Sequence, residues 1–123
     1  MMGEEIALLV YSLKEIHVGD LVPSLFEVLI IGEDIKHSYK SLDSFLVFTN
    51  KRIIYYSITK EFSKSKTLSI PYRSISMFAV ENIGDKSDNE LVLYIAGKIL
   101  RLGFNRETNL LDAYKLLSEK ILK

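Results

Sequence analysis

Between residues 34 and 104 the chain repeats with a period of two, β-branched and aromatic residues alternating with polar ones between short polar clusters. Successive side chains of a strand point to opposite faces, so this pattern predicts strands. Seven segments carry it: 35–41, 44–49, 51–58, 66–71, 75–82, 90–96 and 98–104. Asn50 falls where a tight turn after Thr49 wants a residue tolerant of positive φ, and Gly97 falls in the same place between the last two strands. Gly84, Asp85, Ser87, Asp88 and Asn89 make a longer polar loop, and Pro71 ends its strand because it has no N–H to donate.

The flanking segments follow the helical period. Over 107–123, Leu110, Ala113, Tyr114, Leu117 and Ile121 share one face, with Asp112, Lys115, Glu119 and Lys120 outside it; Asn105 or Thr108 can cap the start. Over 3–32, Ile6, Leu9, Val10, Leu13 and Ile16 have helical spacing, while Ala7, Leu8 and Tyr11 make that helix apolar on almost every side. A second short helix is signalled by Pro23, by Ser24 and Glu27 as a capping box, and by Gly32 as its stop. Consecutive hairpins seldom end in open edges, so seven strands and a terminal helix imply an α+β, mainly β fold. The expected form is a partly closed barrel of two antiparallel sheets capped by the C-terminal helix, with extra N-terminal helices. Residues 1–33 then form a helical extension of the domain at 34–123, the whole being one structural unit.

Composition narrows the chemistry. At 123 residues, 48% hydrophobic and 26% charged, the chain is long enough for a single core without disulfide or metal. It has no Cys, which removes thiol nucleophiles, thiolate zinc sites and iron–sulfur clusters. Sixteen basic and sixteen acidic side chains balance, which argues against nucleic acid as a partner. The acidic start argues against export, and no apolar run approaches membrane-spanning length, so the expected location is the cytoplasm. His17 and His37 are too sparse for a metal site; Glu15, His17 and Asp20 form the one acidic–imidazole cluster, at a predicted helix end that suits an imidazolium. No glycine-rich phosphate loop and no nucleophile elbow occurs. The reading is a non-enzyme with no cofactor.

Two phrases, at 43–54 (DSFLVFTNKRII) and 69–81 (SIPYRSISMFAVE), carry a resemblance. They are similar to the core of the short bacterial pleckstrin-homology-like (PH) domain proteins, and the likeness extends over about 32–122. The resemblance implies a PH-like barrel, and it implies homo-oligomers, ring-like among relatives. It also raises lipid headgroups. Lipid-binding relatives carry a Lys-x-x-x-Lys-x-Arg type of pattern across the first hairpin, whereas this chain has Lys36, His37 and Lys40, no Arg, and Asp43 in the turn.

Charge is unevenly spread. Residues 1–33 carry a net −5 and 34–73 a net +5, and the remainder balances. An acidic, apolar N-terminal arm docking on the basic sheet of a second copy is therefore expected, in a head-to-tail contact. The interface candidates are Ile6, Leu9, Val10, Leu13, Phe26 and Tyr56. Such a module can also recognise a protein partner by adding a peptide strand at an unpaired edge. The alternative is weak association with an anionic membrane: a meander sends its first and third turns to one end, gathering Lys40, Lys60, Lys64 and Lys66 there.

Overall fold

A computed structural model of the chain describes residues 5–59, 64–82 and 89–122. Among these lie eight strands and two α-helices: β1 (Glu5–Glu15), α1 (Pro23–Phe26), β2 (Ile35–Ser41), β3 (Ser44–Thr49), β4 (Arg52–Thr59), β5 (Lys64–Pro71), β6 (Met77–Asn82), β7 (Asn89–Ile95), β8 (Lys98–Phe104) and α2 (Leu111–Ile121). The fold is mainly β with a C-terminal helix, as the alternation predicts. Two compact units divide it, one of residues 15–71 and the other of 1–14 with 72–123.

In the unit of 15–71, β2 to β5 form an antiparallel meander. Every residue of β3 is buried, because both faces of this strand are apolar and both are covered. On one face Phe45, Val47, Ile54 and Tyr56 pack against Leu21 and Leu25 from the segment that precedes the sheet. On the other, Tyr39 meets Phe48 edge to face at 5.9 Å. The preceding segment is irregular. It holds a single 3₁₀ turn at Val18–Asp20 and one turn of α-helix opened by Pro23. The Ser24–Glu27 capping box does not form: Val22 is the N-cap, with no side-chain hydrogen bond.

In the other unit the strand order is β1-β8-β7-β6, with β1 parallel to β8 and the remaining pairs antiparallel. Helix α2 buries Ala113, Leu116 and Leu117, and its Tyr114 ring lies 5.3 Å from that of Phe78 on β6. The cap differs from expectation. Leu110 is the N-cap without a side-chain bond, and the Asn109 side chain accepts from the Leu111 N–H at 2.9 Å.

The main correction falls on residues 5–15, which form a strand and not a helix. Pairing with β8 satisfies this backbone, while two register shifts, between Ile6 and Leu8 and between Val10 and Leu13, break the period of two. Ser12 sits at φ 57° in the second of these. A bulged strand loses its alternation, and its apolar residues fall by accident at helical spacing. Glycine is used where positive φ demands it: Gly97 (φ 79°) follows Ala96 (φ 49°) in the turn between β7 and β8, and Gly32 has φ 81°. Asn50 serves otherwise than expected. Its carboxamide accepts from the Asp34 N–H (2.7 Å) and donates to the Gly32 carbonyl (2.9 Å), tying the β3–β4 turn to the approach to β2.

Candidate functional site

Exposure sorts the expected interface residues into two groups. Ile6 and Leu9 stand 53% and 44% exposed on β1, joined by Tyr11 at 54%, and Phe26 is exposed at the end of α1. Val10, Leu13 and Tyr56 are buried inside the chain and offer no surface to a second copy. Tyr56 faces the cluster under Leu21 and Leu25, and the bulges of β1 turn Val10 and Leu13 inward while leaving Ile6 and Leu9 outside.

Of the expected lysines, Lys40 and Lys66 do not converge. Lys40 shares a register row with Phe45, Tyr56 and Thr67, whereas Lys66 pairs with Ser57 in the next row. Adjacent rows face opposite sides of a sheet, so Lys40 and Lys66 are on opposite faces, about 14 Å apart across three strand spacings. The Lys40 ammonium lies 5.7 Å from the centre of the Phe45 ring, a cation–π contact. Lys64 is on β5 opposite Thr59, and Lys60 lies outside the described residues.

Beside these stands a network that no local pattern announced. Glu33 accepts from Arg52 twice (Nε and Nη2, both 2.9 Å), from the Thr49 hydroxyl (2.7 Å) and from the Ile30 N–H (3.1 Å). Arg52 also donates to the Val28 carbonyl (2.7 Å) and to Ser69 Oγ (2.9 Å). Burial of the carboxylate works to raise its pKa, but the hydrogen bonds from Arg52, Thr49 and Ile30 outweigh it, holding Glu33 at about 2 against an ordinary 4.5. The arrangement braces the loop that leads into β2. It also pairs an acid of the acidic N-terminal third with a base of the basic stretch, so part of the charge contrast in the sequence is spent within one chain.

Two grooves remain. One, of about 550 Å³, brings the chain's two histidines together: His17 and His37 line it with Glu15 and Lys36. His17 Nδ1 accepts from the Gly19 N–H at 3.1 Å. Among the described residues no group of three or more His, Cys, Asp or Glu could hold a metal ion. The other groove, of about 450 Å³, runs between the end of β6 and the loop entering α2, lined by Val80, Asn82, Asn89, Arg106, Leu110 and Leu111 among others. No helix among the described residues is long and apolar enough to cross a membrane.

A mainly β chain of antiparallel hairpins followed by a C-terminal helix has the element order of a PH-like domain. Comparison with known families agrees: the bacterial PH domain model matches residues 6–121, and the chain belongs to that family. It is 34% identical over 96 residues to the uncharacterized protein YozO of Bacillus subtilis (strain 168), covering 76% of this chain and 83% of YozO. Against YjqA of the same organism, also uncharacterized, it is 35% identical over 101 residues, covering 76% and 79%. Among solved structures it resembles a DUF1696 family protein with a pleckstrin-homology domain from Shewanella loihica PV-4. That likeness has a TM-score of 0.77 at 26% identity and covers 89% of this chain and 97% of the other. A pleckstrin homology domain from Shewanella amazonensis SB2B gives 0.69 at 31% identity, covering 89% and 92%. The family match runs from residue 6, within β1, to residue 121, at the end of α2.

Proposed function

We propose that the chain is a non-catalytic interaction module of the cytoplasm that assembles with copies of itself and binds protein partners. The observation that carries self-assembly is the outer surface of β1, where Ile6, Leu9 and Tyr11 keep large apolar groups in water. Exposed apolar groups of this size are stabilised when a partner covers them. Phe26 supplies a further exposed apolar group.

The separation of Lys40 from Lys66 on opposite sheet faces weighs against an anionic-membrane reading, because charges more than a Debye length apart, about 8 Å at physiological salt, act almost independently. Light scattering on the chain and on the double variant Ile6→Glu/Leu9→Glu tests the assembly. The chain is expected to be a multimer and the variant a monomer that still unfolds cooperatively, with a midpoint lowered by the loss of assembly. A monomeric wild-type chain at micromolar concentration refutes it.

A further inference from the structure

An open strand edge specifies its own occupant, because a row of unpaired N–H and C=O groups is matched by another extended backbone. Among the described residues strand β6 pairs with β7 alone, from Met77 opposite Tyr94 to Asn82 opposite Asn89. Its outer edge is the end of the sheet order in its unit. Among the described residues strand β5 also pairs on one side only, with β4, but it carries the devices that discourage strand addition, Lys66 in mid-strand and Pro71 at the end. β6 reads Met-Phe-Ala-Val-Glu-Asn and has neither Lys nor Pro.

The wall beside this edge has the matching chemistry. Phe78, Val80 and Asn82 lie on one face of β6, the face on which Tyr114 of α2 meets Phe78. Farther along, Val80 and Asn82 line the groove of about 450 Å³ with Leu110 and Leu111. Val80 is 36% and Leu111 53% exposed, so a strand laid along β6 would cover apolar surface on both. The carboxamides of Asn82 and Asn89 line the same groove and offer donors and acceptors to a peptide backbone. Strand β1 lies at the far side of the same unit's sheet, separated from β6 by β8 and β7, so assembly through Ile6 and Leu9 leaves this edge open.

We infer that the β6 edge and the adjoining α2 groove form a peptide-binding site. Its ligand is an extended, proline-free segment of another protein, added as a further strand with an apolar side chain seated between Val80 and Leu111. This rests on the interaction-module reading and names its partner-binding surface.

The probe is a display library of short segments without proline, selected on the full chain, followed by synthesis of the enriched peptides. Enriched peptides are expected to carry apolar residues at alternate positions and to perturb the backbone amide resonances of residues 77–82 and of Leu111. They are expected to bind about tenfold or more weakly to Val80→Asp and to Leu111→Glu, both exposed positions at which the fold is retained. Absence of enrichment overturns the inference, as do resonance shifts confined to other surfaces or affinities indifferent to both variants. If no peptide is enriched and Val80→Asp instead turns a multimer into a monomer, the occupant is a second copy and the inference fails. A peptide bound at β6 by a wild-type monomer would uphold this site while refuting self-assembly, so the two ideas fail separately.

Discussion

Replacing Glu33 with Gln removes one charge from the centre of a densely bonded buried network, and its cost can be worked from the geometry. The carboxylate is fully buried and takes bonds from Arg52, Thr49 and the Ile30 N–H. Gln retains one acceptor oxygen but points an NH₂ group at the guanidinium, leaving donors facing donors. Breaking a buried pair in this way typically costs about 3–5 kcal/mol. The Arg52 side chain is 21% exposed and water can reach it, and the Thr49 hydroxyl also lies 3.1 Å from the Arg52 carbonyl. The low end, about 3 kcal/mol at neutral pH, is therefore expected.

The pH dependence supplies an independent check. A carboxyl held at about 2 when folded and 4.5 otherwise contributes stability that is fully present above 4.5 and lost as pH falls toward 2. At 1.36 kcal/mol per pH unit that contribution is about 3 kcal/mol at pH 7 and falls to about 1 kcal/mol near pH 3. Urea denaturation of wild type and Glu33→Gln at both pH values reads this directly: the gap between them should narrow by about 2 kcal/mol on acidification. A deficit below about 1 kcal/mol at pH 7, or one that does not change with pH, would refute the account of the network.

Two other predictions concern stability. Ala96 holds φ 49° at the first position of the β7–β8 turn, a conformation costly for Ala and easy for Asn, so Ala96→Asn should raise unfolding free energy by about 0.5–1 kcal/mol in the same assay; a loss of stability would contradict the turn assignment. Arg101 donates to Glu90 at 2.8 Å and to Glu81 at 3.0 Å, and Glu90 is far the more buried acid. Double-mutant cycles should therefore give a larger coupling for Arg101–Glu90, about 1–2 kcal/mol, than for Arg101–Glu81, under about 1 kcal/mol, and equal couplings would remove burial as the cause.

What the sequence made legible followed from periodicity. The strands between residues 34 and 104 alternate cleanly because their ladders are regular, and β2, β3 and β8 have the bounds that alternation predicts. β1 was illegible for the opposite reason, since two bulges and the positive φ of Ser12 disrupt its alternation. That misreading propagated to the interface candidates: a helical arrangement puts Ile6, Leu9, Val10 and Leu13 on one face, whereas the bulged strand exposes the first two and buries the others. The lysine cluster expected at one end of the meander rests on Lys40, Lys60, Lys64 and Lys66, and Lys60 lies outside the described residues. Which face each lysine takes depends on the register through three hairpins, and turn residues alone leave that open. The Glu33–Arg52 pair spans 19 residues and joins stretches of opposite net charge, so regional charge made it look like surface. The open edge at β6 is a property of strand order, which no local pattern encodes.

The central claim, a self-assembling interaction module, is tested most directly by the molar mass in solution, measured by light scattering at low salt and again near 1 M salt. Because the contact proposed on β1 is apolar, the account predicts a multimer of the same size at both salts, reduced to a monomer by Ile6→Glu/Leu9→Glu. A monomer at both salts would contradict it and would leave the exposed β1 residues without the role assigned to them.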